Sequence, residues 1–412
     1  MAHRPLLRVV WSDPDSAATG YVVVDRLITG IATGGLRMRA GCALEEVEDL
    51  AREMSLKSGT YHLPVGGAKG GIDYPADAPD ADRVRERFLA AMRPLLESIW
   101  VTAGDLGTPQ AALDAAFERL GFGPSSLRAG LLRSTDPAAA TTRVQQMFRL
   151  VDDGLAMPEL IGGYGVAEAG LATLEALGLA VDHSRAVVQG FGAMGGSAAL
   201  YLHRAGVRVI GIADADGLVH NTARGLDVSA LLAGRRPGGL IDRSSLREDD
   251  QQAATDGWLD LPCELAVPAA TSYAVTESVV DRLLTRAVAE AANVPLTAGA
   301  KQRLLDRGIP VIPDFVANAG AVAWAWWSVF GLVSDAESSR RMVSAHVRPL
   351  VGRLIEAWTI NRLAPRAGAT VLAERALAEL GERFGYGEER VPLFQAGRLA
   401  AQSVTATAIG RS

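Results

Sequence analysis

The chain has 412 residues, 49% of them hydrophobic and 21% charged, with a formal net charge of −6 and a pI near 5.6. That balance belongs to a folded globular enzyme and excludes a polycationic nucleic-acid surface or an anionic-membrane anchor. The two cysteines, Cys42 and Cys263, are too few for a disulfide framework or a thiolate metal centre, and the six histidines show no metal spacing, so a cytoplasmic protein without a metal is expected.

The length exceeds what one hydrophobic core usually fills, which predicts two domains. No signal peptide is read in MAHRPLLRVVWSDPD. The apolar run AVAWAWWSVFGLV, Ala321 to Val333, falls short of the roughly 20 residues a membrane span needs and reads as a buried helix, its tryptophans Trp324, Trp326 and Trp327 in the core.

In chain order, PLLRVVW, GYVVVDRL and TGIATGGLRM read as three short β-rich runs of a small sheet. From Leu44 the pattern turns helical: Val47, Leu50, Ala51 and Met54 share one face, and Lys57 lies at the edge of the same arc. Next comes LPVGGAKGGIDYP. Ordered glycines cost backbone entropy, so Gly66, Gly67, Gly70 and Gly71 around Lys69 need a reason. The expected one is that a substrate lies against bare main chain while the Lys69 amine reaches it. With Lys57 as a second cation, such a lysine could serve as a base near neutral pH. The bland reading is two solvated surface lysines. Helices are predicted from Pro79 to Trp100 and from Thr108 to Leu120, with SIWVTA as a strand between them. Asp105 in VTAGDLGTP carries two readings, an Asx-turn residue or a carboxylate that relays protons to the lysine.

Residues 123–163 read as an irregular interdomain connector with a helical piece near Gln145. An alanine-rich helix from Tyr164 precedes RAVVQGFGAMGGSAALYLHRAGVRVIGIADADG, the strand, glycine turn, helix, strand and acid of a dinucleotide-binding βαβ unit. Gly190 suits the tight turn, Gly192 the approach of a pyrophosphate, and Gly195 the packing of helix on sheet. The following helix, from Ala193 and Met194, offers free N–H groups to phosphate. Asp214, 24 residues after Gly190, suits a ribose 2′-hydroxyl and hence NAD, or else is a turn residue of ADADG. Strands follow at ELAVPA, AVAEAAN and IPVIP. Asn293 and Asn318 near strand ends are cofactor neighbours or caps. Beyond Asp335 the chain is mostly helical, most clearly over Leu350–Leu363 and Thr370–Phe384.

TGGLRM, MSLKSG, LPVGGAKGGI, TAGDLGTP, VQGFGAMG, ADADG, LAVPAAT, AANVPLT and PDFVANAGAV together resemble the glutamate, leucine, phenylalanine and valine dehydrogenase superfamily, in that family's order and spacing from about Gly20 to Trp327. The resemblance implies that Lys57 holds the substrate α-carboxylate, that Lys69 activates water and handles protons on the amine, and that Asp105 shuttles protons. Gly35, Thr33 and Ala325 would line the substrate. The glycine turn with Ala193 and Met194, Ala269 and Ala270 of LAVPAAT, Asp214, Asn293 beside the ribose and Asn318 beside the nicotinamide would line NAD or NADP. Hydride would pass from substrate Cα to nicotinamide C4 in the cleft between the domains. A homo-oligomer built through the N-terminal domain is implied, with small-molecule substrates and no nucleic-acid or membrane partner.

Departures from the family's pattern sharpen the expectation. Glutamate enzymes place a lysine before GGLR, where this chain has Thr33, and a serine seven residues after the asparagine of NAG, where it has Ala325. Both losses leave a side-chain carboxylate without partners, at the cost of uncompensated desolvation. Arg39 or His62 could replace the cation. Gly162 stands where a threonine usually helps hold the nicotinamide amide, and Asp152 and Asp153 add negative charge in the connector. The expectation is therefore an α/β protein of three parts. These are a substrate and oligomerisation domain over 1–160, a Rossmann-type NAD(P) domain over 161–334, and a C-terminal helical segment over 335–412 packing back on the cleft. Its expected activity is oxidative deamination of an apolar or aromatic L-amino acid, the layout being closer to leucine and phenylalanine dehydrogenases. The alternatives are a glutamate dehydrogenase with a rearranged carboxylate site and a non-catalytic NAD-binding regulator.

Overall fold

A computed structural model describes residues 4–123, 125–152, 154–385 and 391–409. The chain forms two compact units. One holds the residues up to Gln145, Trp326–Leu332 and those from Leu372 onward; the other holds Gln146–Ala325 and Val333–Val371. This division departs from the expected 1–160, 161–334 and 335–412. The first boundary falls earlier, and the C-terminal helices are shared between units instead of forming a third segment.

In the first unit, β1 (Leu7–Ser12), β2 (Thr19–Val24), β3 (Ala32–Thr33) and β4 (Leu36–Arg39) precede the helix α1 (Leu44–Thr60), and β5 (Gly66–Asp73) follows it. Then come α2 (Ala81–Ala91), α3 (Arg93–Ser98), β6 (Trp100–Val101), α4 (Gln110–Arg119), α5 (Arg128–Leu131) and α6 (Pro137–Phe148). The sheet order is β1-β2-β5-β3-β6, with β4 also on β5. Its core gathers Val22, Leu36, Phe88, Leu96, Trp100, Leu113 and Phe117. Two expectations change. The helix predicted over Pro79–Trp100 breaks at Met92, ahead of Pro94 near the start of α3, where a missing N–H costs nothing. The irregular connector is largely helical, through α5, α6 and the next helix.

The GGAKGG run corrects the most specific expectation. It opens β5, which is antiparallel to β2 and parallel to β3 and β4. A Cβ on Gly67 would sit 2.2 Å from the Ser55 backbone nitrogen of α1, one on Gly70 2.6 Å from the Trp100 ring, and one on Gly71 2.5 Å from Val47. These glycines admit a helix and a tryptophan onto the strand, not a substrate onto bare main chain. The result still serves the site, because Lys69 is fixed on a rigid, buried element.

The second unit begins with a hairpin, β7 (Val151–Asp152) and β8 (Leu155–Ala156), and the long helix α7 (Met157–Ala176). Then follow β9 (Arg185–Gln189), α8 (Ala193–Arg204), β10 (Arg208–Asp214), β11 (Gly217–His220), α9 (Val228–Ala233) and β12 (Gln251–Ala253). After them come β13 (Leu265–Pro268), β14 (Ala287–Ala289), α10 (Ala298–Asp306), β15 (Val311–Ile312) and α11 (Asp314–Ala317). The sheet order is β12-β11-β10-β9-β13-β14-β15, parallel from β10 to β15 and extended antiparallel by β11 and β12. The predicted strands at ELAVPA, AVAEAAN and IPVIP are β13, β14 and β15. The carboxyl end of β9 lies between β10 and β13, where the strand order reverses and doubly wound sheets bind ligands.

The chain closes with α12 (Gly320–Phe330), α13 (Ala336–Asn361), α14 (Pro365–Phe384) and α15 (Leu393–Ile409). Trp324, Trp326 and Trp327 on α12 are all buried, as expected of core residues. Asp335 starts α13 with a reciprocal capping box to Ser338. No helix among the described residues is long and apolar enough to cross a membrane.

Candidate active site

In the first unit, the Lys69 Nζ lies 2.7 Å from Asp105 Oδ2, and the Arg37 Nε reaches the same oxygen at 3.1 Å. Arg37 also pairs with Glu46 at 2.7 Å, and Glu46 with Arg39. Three segments build this: β5 supplies Lys69, β4 supplies Arg37, and the loop after β6 supplies Asp105. A Cβ on Gly35 would meet the Ala103 and Gly104 carbonyls at 3.1 Å and the Asp105 Cβ at 3.2 Å, so Gly35 lets the Asp105 loop close onto β4. Burial acts to raise the Asp105 pKa, but the Lys69 and Arg37 charges, with the Leu106 N–H, outweigh it and hold the carboxyl far below the usual range. Asp105 thus accepts from the next backbone N–H and pairs with the lysine.

Lys57 lies in the last turn of α1 and is buried, as its place on the apolar arc predicts. The ion-pair partner of Lys69 is Asp105, the carboxylate read beside it in the sequence. Thr33 is buried on β3 between β5 and β6. Neither replacement cation is a buried one: Arg39 is part-exposed and committed to Glu46, and His62 is exposed. Arg37 is the functional residue that sequence reasoning missed. The signal was its place two residues beyond Gly35, in the segment already assigned to substrate.

In the second unit, Gly190 adopts φ +101°, a region that side chains disfavour, and a Cβ there would strike Ala269 and Ala270 at 2.8–2.9 Å. Ala269 N donates to the Gln189 carbonyl at 2.6 Å, so the segment after β13 lies directly on the turn. Gly192 is the N-cap of α8, and a Cβ on it would meet nothing within 4 Å. Gly195 packs on the Gly190 carbonyl, 2.0 Å from an added Cβ. An open N-cap followed by the orphan N–H groups of Ala193, Met194 and Gly195 fits a pyrophosphate. The Asn318 Nδ2 donates to the Ala291 carbonyl at 3.0 Å and to Asn293 Oδ1 at 3.3 Å, while Asn318 Oδ1 is buried without a hydrogen-bond partner. That orphaned acceptor fits a ligand donor such as a carboxamide or a ribose hydroxyl. These observations meet the requirements of a dinucleotide.

Three departures gain physical accounts here. The space beside Gly162 is taken by Met194, whose Cε lies 2.9 Å from an added Cβ. Asp152 is neutralised by Arg340 of α13, so it does not add net negative charge; Asp153 lies outside the described residues. Ala325 is half-buried on α12. Beneath the asparagines, the Glu290 carboxylate is fully buried 2.9 Å from Lys301, and burial with the nearby Asp314 pushes its pKa up to about 7.

A doubly wound sheet with a dinucleotide-fitting turn, and a buried lysine–aspartate pair in the other unit, define a dehydrogenase class of oxidoreductase. The particular family is decided by comparison. Residues 154–385 match the profile of Glutamate/Leucine/Phenylalanine/Valine dehydrogenase and residues 7–120 that of the Glu/Leu/Phe/Val dehydrogenase dimerisation domain, so the chain belongs to the amino acid dehydrogenases of this family. It is similar to glutamate dehydrogenase B of Halobacterium salinarum, 28% identical over 384 residues, covering 90% of this chain and 82% of the relative. It is also similar to the NADP(+)-dependent glutamate dehydrogenase of Pyrobaculum calidifontis, 28% identical over 349 residues, covering 82% and 80%. Among solved structures, the hetero-hexameric glutamate dehydrogenase of Thermus thermophilus in its leucine-bound form aligns with TM-score 0.72 and 27% identity, covering 91% and 89%.

Proposed function

We propose that this protein catalyses the reversible, NAD(P)-dependent oxidative deamination of an L-amino acid to its 2-oxo acid and ammonium. The observation that carries the reading is the Lys69–Asp105 contact of 2.7 Å, a proton-handling pair on rigid backbone. A nicotinamide dinucleotide held by its pyrophosphate at the glycine turn would supply the hydride acceptor for the substrate Cα hydrogen. Lys57 holds the α-carboxylate by charge. Lys69 holds the water that attacks the imine carbon and takes its proton. Asp105, kept ionised by Lys69 and Arg37, passes protons to and from the substrate nitrogen. Asn318 orients the nicotinamide and Asn293 its ribose. The protein works as a homo-oligomer built through residues 7–120, the dimerisation-domain match.

Glutamate with 2-oxoglutarate is the first reading of the substrate, because the similar relatives are named glutamate dehydrogenases and align over most of both chains. This reverses the order argued from sequence. An apolar or aromatic substrate is the second reading, favoured by Thr33: it is buried and uncharged where a side-chain carboxylate would want a cation, and Arg39 and His62 are not buried replacements. Leaving a buried carboxylate unpaired costs about 3–5 kcal/mol. Purified protein, ammonium and a panel of 2-oxo acids, followed by nicotinamide absorbance with NADH and NADPH, test both. Preference for 2-oxoglutarate supports the first reading, and preference for branched or aromatic 2-oxo acids the second. Turnover of none of them would overturn the proposal.

A further inference from the structure

NAD and NADP differ only at the adenosine ribose 2′ position, and an acid at the end of the second βαβ strand ordinarily selects the hydroxyl. Asp214 holds that place but is already engaged. Its Oδ1 accepts from Asp216 N at 2.9 Å and Arg243 Nη2 at 2.5 Å; its Oδ2 accepts from Ile241 N at 2.7 Å and Arg243 Nη1 at 2.6 Å. A carboxylate has about four acceptor sites, and all are filled. The Asp214 side chain is 1% exposed, whereas that of Arg243 is 20% exposed. A ribose hydroxyl would have to displace one of these bonds, and the charge that would repel a phosphate is cancelled by a bidentate arginine.

The surroundings add cations. The segment Gly234–Leu240, GRRPGGL, folds onto the glycine turn, so that a Cβ on Gly239 would lie 2.8 Å from the Gly192 Cα. Arg236 on that segment is exposed. The opposing acids are Asp216, exposed and 4.0 Å from Arg243 Nη1, and Asp242 beside Arg236, and they offset part of this charge.

We propose that Arg243 is a cofactor-specificity residue: by saturating Asp214 it removes the selection for a 2′-hydroxyl, and with Arg236 it admits a 2′-phosphate, so NADPH is bound at least as well as NADH. The inference rests on the dinucleotide reading of the Gly190–Gly195 turn given above. The test titrates the full-length protein with NADH and NADPH by fluorescence and competes them with ADP and 2′,5′-ADP. For the wild type, NADPH is expected to bind no more weakly than NADH, and 2′,5′-ADP to compete at least as well as ADP. Arg243→Met releases Asp214, and the ratio of the two dissociation constants should move about tenfold or more toward NADH, the loss of a charge-assisted bond. Arg243→Lys, keeping the charge, should move it less. A wild type that favours NADH by more than about tenfold, or a folded Arg243→Met with an unchanged ratio, would overturn the assignment. If Arg243→Met fails to fold, the wild-type ligand series decides alone. Binding of neither dinucleotide would instead sink the dehydrogenase reading itself, and this inference with it.

Discussion

At Asp105 one buried carboxylate oxygen meets two cations, Lys69 and Arg37, and the chemistry depends on that balance. Asp105→Asn takes the ion pair from buried Lys69 and leaves Arg37 only Glu46, which should lower stability by about 3–5 kcal/mol and turnover by about 10²–10⁴-fold. The pH dependence has a definite sign. The folded pKa lies below its ordinary 3.8, so the pair stabilises the protein above that value and the benefit is lost as pH falls below it. The difference in melting temperature between wild type and Asp105→Asn should therefore close in acid, and parallel curves would contradict the pairing. Lysine usage makes a second point. Of 41 basic residues only three are lysines, Lys57, Lys69 and Lys301. The first two are buried, and Lys301 pairs with buried Glu290. A chain that takes arginine nearly everywhere keeps lysine at these positions, where arginine could not give up a proton. Lys69→Arg should keep the charge opposite Asp105 and a near-native melt, yet lose turnover by about 10²-fold or more. Appreciable turnover in that variant would show that Lys69 acts through charge alone. The lysine count was legible in the sequence and could have pointed to Lys301; Asp105 was read beside Lys69, whereas Glu290 was not read as the partner of Lys301.

The elements that carry the site use glycine for opposite purposes, a difference invisible in the strings GGAKGG and GFGAMG. On β5 the glycines are filled against: Gly67→Ala drives a methyl to 2.2 Å from the Ser55 nitrogen, so α1 must shift. A loss of about 1–3 kcal/mol is expected, with reduced turnover because Lys69 is two residues along. At the head of α8 the space is open, and Gly192→Ala meets nothing within 4 Å. That variant should melt like wild type while binding NADH about tenfold more weakly, since the methyl occupies phosphate space. Thermal melts and cofactor titrations on the two proteins separate the cases. Equal effects on stability would refute the distinction.

At the scale of the molecule, the two units have separate cores, one around Phe88 and Trp100 and one around Val187 and Ile210. Unfolding should therefore depart from a single two-state transition. A dinucleotide bound at the glycine turn should stabilise the unit that holds β9 and α8, by about 2.7 kcal/mol at a hundredfold excess over Kd. Scanning calorimetry with and without NADH tests this, and an unmoved thermogram under saturating cofactor would count against the turn as its site. The unit boundaries were poorly legible in the sequence. The 123–163 stretch lacks strong apolar periodicity, and no local signal tells that α12 and α14 each contribute residues to both units.

What the sequence by itself determined is the set of parts whose information is local. The βαβ order around Gly190–Gly195, the strands β9, β10, β13, β14 and β15, the buried face of α1 with Lys57 and the family's motifs all follow from period, turn chemistry and spacing. Only the tertiary structure decided the pairings. It fixed the Lys69–Asp105 contact left as one of two readings, brought Arg37 into the same pair, turned the GGAKGG glycines toward α1 and Trp100, and closed Arg243 over Asp214. Arg37 and Asp105 are separated by 68 residues and Asp214 and Arg243 by 29. Contacts at such separations are set by how strands and loops converge, and local periodicity carries no record of that convergence.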